Sequence, residues 1–569
     1  MNLTPTWHQQ SYTRFMQETL PALLAQRIPL AGYQTSATGA HTWQVTIAVS
    51  TTAAEPVEAT YIDLPAPDAA GLFYIDNTIR TVVPVASHSD LESATIKCVG
   101  DMLFDFVEAR LGQAAPDLPW DQALLRAWLP LDRWFAEFME TSIYAQVLDQ
   151  TNWLAGHIHP RRLIIEHPTK LTTPGQFGRV CPFEMPEGPN LGRIFSIARG
   201  ATIRNGRLDM VEETPTAALG LSASMIPCLE HDDPNRLLMG ANMMRQWLPF
   251  AEPEPALVQT GHEPAAAEFW GGRNLLTAFL PWGGDTYEDG IVLSQSAAQR
   301  LSNPHQGQAW YGNTYRITEP GDKLSNRHGE KGVVSRILPD AQMPRRADGA
   351  PVELIFTSAS LPNRLNVGQL VELLLGRIAQ AEGAAVVASP FACPSEAEIR
   401  QRLAALGQPE DGLETLYLPA EKGGESGEPL ACPSAVGYLY WGVTNHLVRD
   451  KCRATADDAE YRQRQAEMEY QVLKEAGAIE TIREQYNTRA AGHHHELAAQ
   501  VAAGAVTQAD SPAPRFALLR HRLAAAGIDA ALQNGRLHFT LEPPTHHALK
   551  LARAVQHPWL PEETLATVA

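Results

Sequence analysis

Two lysines stand close together in a short segment whose residue types could bind an anion. Lys323 and Lys331 lie eight positions apart in GDKLSNRHGEKGVVSR, residues 321–336, together with Gly329 and Gly332. Glycine lets a backbone turn tightly and approach a ligand closely, and the lysine ammonium group is a compact cation suited to phosphate oxygens. The two lysines can therefore converge on one anionic group. The residue types alone leave a second interpretation open, a polar surface turn whose charges bind nothing.

The overall charge of the chain speaks against non-specific binding of nucleic acid. The 569 residues include 45 Lys and Arg against 64 Asp and Glu, a formal net charge of −19 at pH 7. Net charge acts at long range, whereas phosphate binding depends on a few nearby cations. A local basic channel, or a basic partner subunit, is therefore compatible with this composition.

Cysteine and histidine spacing gives little support for cross-links or for a metal site. The six cysteines are scattered without a C-x-x-C pair, which argues against both a disulfide framework and a cysteine zinc site. Histidines cluster at positions 157–159 and 493–495. Solvated polar residues are the simpler interpretation of these clusters, and metal binding is the alternative.

The length and the hydropathy pattern predict several domains and no membrane anchor. At roughly 150 residues per domain, the chain suggests three or four domains, or fewer large ones. No run of about 18 apolar residues predicts a membrane-spanning helix. The first ten residues lack the basic-then-apolar pattern of a signal peptide. We therefore expect a cytoplasmic protein without membrane association.

The lysine segment falls within a long stretch of predicted strands and loops. Residues 175–370 carry many Gly and Pro turn signals and read mostly as strands joined by loops. Helical apolar spacing is found before this stretch, at about 120–160, and after it, at about 456–490. Residues 515–543 read as a helix followed by two short strands. The lysines are therefore expected in the strand-and-loop region.

Six further segments, in a fixed order, place the lysine segment in a wider pattern. Before it come FMETSIYAQVLDQTNWLAGHIHPRR, GRVCPFEMPEGPNLGR, LGLSASMIPCLEHDDPNRLLMGANMMRQ and GRNLLTAFLPWGGDTYEDGIVLSQS. After it come LPNRLNVGQLVELLLG and VGYLYWGVTNHLVRDKCRA. In content and order these segments resemble the β subunit of multisubunit DNA-dependent RNA polymerases, over most of the chain.

The resemblance implies an α+β chain with an RNA polymerase β-like architecture. Its core would be a double-psi β-barrel with helical segments, the lobes and flap being largely deleted. The chain has about half the usual β length, and about 25 residues separate IVLSQS from GDKLSN, where the family inserts the flap. The implied regions are a reduced N-terminal region at 1–118, a helical RNA-path and fork-like region at 119–174, an external and fork region with YEDG at 175–300, the barrel and hybrid-binding region at 301–455, and a C-terminal helix, anchor and tail at 456–569.

The resemblance also implies roles for individual residues. Polymerases of this family join nucleotides by in-line attack of an RNA 3′-hydroxyl on an α-phosphate, between two metal ions. The residues expected at the reacting groups are Lys323, Lys331, Arg364, Arg236, Glu288, Asp289 and His446. Those expected to contact nucleic acid are Lys451, Asn242, Gln246, Gln146, Arg161, Arg162 and Asn190. Glu288 and Asp289 would also approach the second metal through water, with a solvated turn as the alternative. For Arg161 and Arg162, the alternative is pairing with nearby acidic residues.

Two further residues of the lysine segment carry expectations of their own. Glu330 occupies a position that is usually uncharged in the family, and its carboxylate beside Lys331 is expected to weaken the local positive potential. His328 is expected to hydrogen-bond within its own loop.

No segment resembles the three-aspartate loop that binds the catalytic magnesium, which in this family belongs to the β′ subunit. The resemblance therefore implies a minimal β-like subunit of a two-chain RNA polymerase. Mg²⁺ would be held mainly by a β′-like partner, and the template, the RNA product and nucleoside triphosphates would be further partners. The alternative is a non-catalytic mimic of β that binds a β′ chain or nucleic acid. The two lysines together with Arg364, Arg236 and His446 favour the catalytic interpretation.

Overall fold

The computed structural model describes most of the chain up to residue 448 and shorter stretches beyond it. The described ranges are 5–51, 55–111, 119–169, 172–304, 315–419, 427–448, 467–482, 503, 520–524, 527–533 and 536–541. The chain divides into two compact units, Met1–Asp450 and Lys451–Ala569. The finer division into five regions stays a prediction.

Short helices and small sheets build the first part of the larger unit. The helices are α1 (Trp7–Arg14), α2 (Leu20–Arg27), α3 (Val99–Arg110), α4 (Gln122–Trp128), α5 (Leu131–Thr141) and α6 (Trp153–Ile158). The strands are β1 (Leu30–Ala37), β2 (Thr42–Val49), β3 (Val57–Pro65), β4 (Leu72–Ile75), β5 (Thr78–Val82), β6 (Val85–His88), β7 (Ile96–Lys97), β8 (Ala145–Val147), β9 (Arg162–His167), β10 (Ile194–Ser196), β11 (Ala201–Arg204) and β12 (Arg207–Met210). A π-helical turn, Phe15–Thr19, joins α1 to α2.

One aromatic cluster joins the helices of this part to its first sheet. Strands β1, β2 and β3 form an antiparallel sheet. Tyr12 of α1 meets Trp43 of β2 and Phe135 of α5 edge to face, and Phe15 lies against Phe135 as well. Rings at these angles place the positive edge of one on the negative face of the other. The helices are thereby fixed on the sheet by buried apolar contact.

The second part of the larger unit carries the lysine segment. Its helices are α7 (Pro234–Met244), α8 (Gln295–Arg300), α9 (Ser360–Arg364), α10 (Gly368–Glu382) and α11 (Glu396–Ala405). Its strands are β13 (Val258–Gln259), β14 (Arg273–Phe279), β15 (Gly290–Ser294), β16 (Asn303–Pro304), β17 (Tyr315–Arg316), β18 (Lys323–Asn326), β19 (Lys331–Leu338), β20 (Leu354–Phe356), β21 (Val386–Val387), β22 (Leu413–Glu414) and β23 (Ser434–Val443). No helix within the described ranges is long and apolar enough to cross a membrane.

Six strands of this part close into a barrel. The order is β14, β20, β15, β19, β18 and β23, and β23 pairs back onto β14 along seven residue pairs, from Arg273–Trp441 to Phe279–Ala435. The barrel interior is apolar, and its largest fully buried rings include Trp441 and Phe356. A closed sheet with a packed interior is a rigid support. It therefore fixes the side chains at the ends of its strands, including the two lysines.

The smaller unit is described only in part. Helices α12 (Glu467–Glu475) and α13 (Ile479–Ile482) lie in the region predicted to be helical. Strands β24 (Ile528–Gln533) and β25 (Arg536–Leu541) pair as an antiparallel hairpin. The helix-then-two-strands pattern predicted at 515–543 agrees with this hairpin and with the short helical stretch before it.

The structure corrects one expectation about the cysteines. Cys228 and Cys393 form a disulfide between Cα atoms 5.0 Å apart, although 165 positions separate them in sequence. The Glu230 carboxylate accepts hydrogen bonds from the backbone N–H groups of Phe391 and Cys393, which holds the two segments together. Local spacing cannot detect a pair formed in this way, because only the fold brings the residues within reach.

Candidate active site

The two lysines lie on neighbouring strands of one hairpin. In β18 and β19, Lys323 is opposite Val333, and Ser325 is opposite Lys331. Directly opposite residues of an antiparallel pair point to the same face, so both lysine side chains project from one side of the barrel wall. The glycine after Lys331 is required by packing, because a Cβ atom at Gly332 would lie 2.2 Å from the Asp289 carbonyl oxygen.

Both lysines line one open cavity of about 540 Å³. Its walls come from the lysine hairpin, from α7 and the residues after it, from the segment after β23, and from the stretch that includes β9. The lining residues are Asp149, Thr151, Arg162, Pro186, Glu187, Met239, Asn242, Met243, Arg245, Gln246, Lys323, Lys331, Asn445 and His446. Six of the residues predicted from the sequence therefore meet at one place: Lys323, Lys331, His446, Asn242, Gln246 and Arg162.

The cavity is locally basic although the chain is acidic overall. Four lining residues are cationic and two are carboxylates, which leaves an excess of two positive charges when His446 is neutral. Burial, helped by the neighbouring Arg245, lowers the pKa of Arg162 to about 10, so Arg162 stays protonated at pH 7. Arg162 also faces Asp149 with 4.0 Å between Nη2 and Oδ2. A cluster of this sign and size can bind a phosphate-bearing ligand in spite of the net charge of −19.

Helix α7 carries one wall of the cavity. The Asp233 carboxylate caps its first turn by accepting a hydrogen bond from the Asn235 backbone N–H, 2.9 Å away. The helix approaches the lysine hairpin closely, because a Cβ atom at Gly240 would lie 2.1 Å from the Arg327 carbonyl oxygen. Asn242 and, just beyond the helix, Gln246 face the cavity. Arg236 does not line it, and its Nη1 lies 3.4 Å from the Met239 sulfur.

The turn between the two lysines rests on buried charges. His328 contacts Asp232 through Nδ1 at 2.6 Å and Glu372 through Nε2 at 2.7 Å, and Arg327 pairs with Glu372 at 2.9 Å. Burial alone would lower the pKa of His328, but Asp232 and then Glu372 outweigh it and raise this pKa to about 9. His328 is therefore a cation at neutral pH. The expectation that it hydrogen-bonds within its own loop holds for its backbone N–H, which donates to Asn326 Oδ1 at 3.0 Å. It does not hold for the side chain, whose two partners come from the segment before α7 and from α10.

Glu372 completes this network from α10. Burial opposes the charge of its carboxylate, but Arg327 and then His328 lower its pKa to about 2. The same carboxylate accepts a hydrogen bond from the Tyr440 backbone N–H at 3.1 Å. The hairpin turn is thus tied to α10 and to β23 at once, and the network positions the hairpin that presents the lysines.

Arg364 lies between two carboxylates. Its Nη1 donates to Glu330 Oε1, and its Nη2 donates to Asp289 Oδ1. Burial opposes the charge of Arg364, but Glu330 and Asp289 outweigh it and raise the pKa of the guanidinium group. The sequence suggested that the Glu330 carboxylate lies beside Lys331 and weakens the positive potential there. In the structure Glu330 is fully buried, and Arg364 compensates its charge. Neither Arg364 nor Asp289 lines the cavity of the two lysines.

The remaining predicted site residues divide into three groups. Gln146 and Asn190 do not line the cavity; Gln146 Oε1 lies 2.9 Å from His159 Nε2, and Asn190 is exposed. Arg161 is buried, its guanidinium group donates to the Ala198 carbonyl oxygen at 2.8 Å, and burial lowers its pKa to about 10. This position argues against the nucleic-acid role predicted for Arg161. Lys451 and the Glu288 side chain lie outside the part of the chain that the structure describes.

The cavity also contains polar residues that were not singled out from the sequence, among them Arg245, Asn445 and Thr151. Arg245 follows Asn242 by three positions and donates to its side-chain oxygen. That spacing is the signal that sequence reasoning passed over, because residues three apart lie on the same face of a helix. Asn445 precedes His446, and its backbone N–H donates to the Gln246 carbonyl oxygen at 2.8 Å. This bond joins two walls of the cavity.

The described residues of this chain do not form a magnesium site by themselves. No group of three or more His, Cys, Asp or Glu side chains suited to a metal ion occurs among the described residues. Magnesium prefers several oxygen ligands in an octahedral arrangement. Asp289 offers one carboxylate, and one of its oxygens already accepts from Arg364. No catalytic step can therefore be assigned to a metal held by the described part of this chain.

Family models match two stretches of the chain that contribute to the cavity. The model described as RNA polymerase Rpb2, domain 6, matches residues 307–460, which include the lysine hairpin and His446. The model described as RNA polymerase Rpb2, domain 3, matches residues 146–203, which include Arg162. Together these stretches supply Lys323, Lys331 and Arg162, which line the same cavity.

Longer relatives agree with these matches. A DNA-directed RNA polymerase subunit beta from a Synechococcus species is 24% identical, over 71% of this chain and 64% of the relative. The subunit beta of Prochlorococcus marinus subsp. pastoris is 23% identical, over 70% of this chain and 63% of the relative. The match covers less than two thirds of the length of either relative. The matches to two Rpb2 domains, the closed barrel and the lysine cavity agree with one another, and the chain is similar to the β subunits of multisubunit RNA polymerases.

Proposed function

We propose that the chain is a minimal β-like subunit of a two-chain RNA polymerase. It would contribute one half of a site for nucleotidyl transfer, and a β′-like chain would contribute the other half. The observation that carries the proposal is the cavity of about 540 Å³ in which Lys323, Lys331 and His446 meet Arg162. A pocket with several convergent cations suits the 3′ end of a nucleic acid and the phosphates that react there.

In this proposal the two lysines hold the RNA 3′ end and the reacting phosphates. They would stabilise the negative charge that develops on the phosphate in the transition state, which is the main catalytic effect in phosphoryl transfer. His446, Asn242, Gln246 and Arg162 would orient the nucleic acid around the same cavity. Arg364 and Arg236 would contact the triphosphate from outside the cavity lining.

Magnesium would be held mainly by the β′-like partner. When bound, the metal ions would neutralise the attacking and leaving oxygens. Glu288 and Asp289 would approach one of them only through water. The proposed partners are thus a β′-like subunit, a nucleic acid template, the RNA product and nucleoside triphosphates, and the proposed location is the cytoplasm.

The six-stranded barrel would be a double-psi barrel, and the peripheral lobes and the flap would be reduced. The strand order and the closing pair of β14 and β23 support a barrel of this general kind. The match covers only 64% and 63% of the two longer relatives, which is compatible with the loss of peripheral regions such as the lobes and the flap. A reduced periphery would leave the chemistry in place and alter how a template is engaged.

Co-expression with a β′-like chain tests the proposed activity. We expect magnesium-dependent incorporation of labelled nucleotides on single- or double-stranded templates, with a loss of about 100-fold or more in Lys323→Ala and in Lys331→Ala. Lys97→Ala is the matched control, because Lys97 is an exposed lysine paired with Asp105 on the surface. A stable, stoichiometric complex that incorporates nothing on any template would contradict the proposal.

A second candidate function is a non-catalytic mimic of β that binds a β′ chain or nucleic acid. One observation favours it: Arg364, the residue proposed to contact the triphosphate, is engaged by two carboxylates. The cationic cavity favours the first function, because binding a partner surface does not require an open site with four cations. The two functions separate in the same assay, since the mimic would assemble and bind but would not extend RNA.

A further inference from the structure

The contacts of Arg364 define a cluster with more negative than positive charge. One guanidinium group faces two carboxylates, Glu330 at Nη1 and Asp289 at Nη2, and each of these contacts is called an arm of the cluster. If all three are ionised, the cluster carries a net charge of −1. A polyphosphate approaching Arg364 therefore meets a cation whose field is already offset. In a partly buried site this offset is only weakly screened by solvent and salt.

The two arms differ in how firmly they are held. The Glu330 side chain is 0% exposed, and its Oε2 accepts from Asn366 and from Gln369, each at 3.1 Å. Its backbone N–H also donates to Asn326 Oδ1 at 3.0 Å. Asp289 is 30% exposed, and Arg364 is the side-chain partner seen for its carboxylate. The Glu330 arm is thus fixed in the structure, and the Asp289 arm is the one that solvent and ligands can reach.

We propose that Glu330 sets the affinity of the site for triphosphate, by holding one arm of Arg364 while Asp289 occupies the arm that the ligand needs. The inference rests on the proposed function, in which Arg364 contacts the incoming triphosphate. A polyphosphate binds by replacing Asp289 on Nη2, and Nη1 stays on Glu330. Glu330 thereby keeps the guanidinium group in place and weakens its attraction for phosphate. It is a positioning residue, since it acts through Arg364.

Two substitutions test the two arms. Glu330→Gln keeps the shape of the side chain and removes its charge. The new amide nitrogen would face Asn366 and Gln369, which both donate to Glu330 Oε2. The Asn366 Oδ1 is buried and has no partner, so a rotated Asn366 can accept from the amide, whereas Gln369 loses its acceptor there. Asp289→Asn removes the charge of the other arm. Asp289 has a φ of 71°, and asparagine tolerates this left-handed conformation as well as aspartate does.

The measurement is equilibrium binding of inorganic tripolyphosphate to the full chain, in a buffer with a chelator and no divalent metal. We expect Glu330→Gln to bind about tenfold more tightly than the unsubstituted chain, and Asp289→Asn several-fold more tightly, because each change removes one negative charge beside Arg364. Arg364→Ala added to Glu330→Gln should abolish the gain. An unchanged or weaker affinity in Glu330→Gln would overturn the proposal, as would a gain that survives Arg364→Ala.

Glu414→Gln is the matched control. Glu414 is also a poorly exposed carboxylate that holds arginines, Arg346 and Arg377, but it pairs with β23 at the strand end opposite to His446. Its substitution should leave tripolyphosphate affinity unchanged, and an equal gain there would overturn the proposal by showing a general charge effect. If Glu330→Gln fails to fold, Asp289→Asn still tests whether phosphate replaces Asp289 on Arg364, and an unchanged affinity in that variant would overturn the proposal.

The binding assay needs no partner, template or turnover, so it separates this inference from the proposed function. Tighter binding in the variants together with absent polymerisation would remove the proposed function and leave the role of Glu330 standing. Polymerisation together with unchanged tripolyphosphate affinity in the variants would leave the proposed function standing and remove the role of Glu330. Undetectable binding by the unsubstituted chain and by both variants would overturn the role of Glu330.

Discussion

Lys323 and Lys331 line an open cavity, whereas Arg327, His328 and Glu330, in the turn between them, are buried in ion pairs. The five residues belong to one hairpin, but the turn has its charges compensated by carboxylates and arginines of distant segments. The cavity face instead keeps an excess of positive charge. The difference teaches that a charge-rich motif holds two kinds of charge: some build the support, and others meet the ligand.

The largest expected effect comes from breaking the support. Glu372→Ala leaves Arg327 and the protonated His328 without their shared carboxylate in a buried site. We expect a loss of about 3–5 kcal/mol in the free energy of unfolding, because the buried Arg327 loses the carboxylate that it pairs with, and His328 keeps only Asp232. Chemical denaturation of the full chain measures it.

Glu382→Ala is the control for this loss. Glu382 pairs with Arg402 at the surface, where both side chains are more than a third exposed. Its removal should cost about 0–1 kcal/mol. Equal losses in the two variants would show that the buried network is no more important than a surface pair.

The same network predicts a pH dependence of stability. The folded-state pKa of His328 is raised to about 9, above its ordinary value of 6.5, so folding favours the protonated form. The stabilisation is complete below about pH 6.5 and is lost as the pH rises through 9, with an upper limit of about 3 kcal/mol. Glu372, with a pKa of about 2, loses its contribution only in strong acid. Unfolding measured between pH 6 and 9.5 tests this, and His328→Gln should flatten the curve.

A smaller effect is expected where α7 touches the hairpin. Gly240→Ala would place a methyl group 2.1 Å from the Arg327 carbonyl oxygen, so the helix must shift away from the turn. We expect a loss of about 1–3 kcal/mol, although alanine ordinarily favours a helix over glycine. Gly284→Ala, where an added Cβ meets no atom within 4 Å, should change stability by less than about 0.5 kcal/mol. A Gly240→Ala variant as stable as the parent would contradict the close contact.

The smallest effect on stability is expected on the cavity side. Arg162→Ala should change the free energy of unfolding by less than about 1 kcal/mol, since its pair with Asp149 is loose. It should also lower the slope of log K for nucleic acid binding against log salt concentration by about 1, the contribution of one phosphate contact. Arg400→Ala, which removes an exposed helix pair with Glu396, should leave that dependence unchanged. Binding titrations at several salt concentrations compare the two variants, and an unchanged slope in Arg162→Ala would remove Arg162 from the interface.

The sequence predicted the family resemblance and the convergence of the lysines, because ordered segments and a hairpin are local features. It did not predict which charges pair. Glu330 and Arg364 are 34 positions apart, and Arg364 and Asp289 are 75 apart, so neither pair leaves a local signal. Arg161 and Arg162 are neighbours, yet one is buried against backbone carbonyls and the other lines the cavity. A strand boundary between them decides this, and sequence reasoning does not resolve boundaries to one residue.

The closure of the barrel through β14 and β23 has a consequence for handling the protein. Each of these strands forms backbone hydrogen bonds with a strand on either side, so neither presents an open edge to another chain. The β24–β25 hairpin is different, because it is a two-stranded sheet in the described part of the chain, and Phe539 and Leu541 are 59% and 81% exposed on it. Unpaired edges with exposed apolar side chains invite intermolecular strand pairing. Aggregation during purification should therefore start at this hairpin rather than at the barrel.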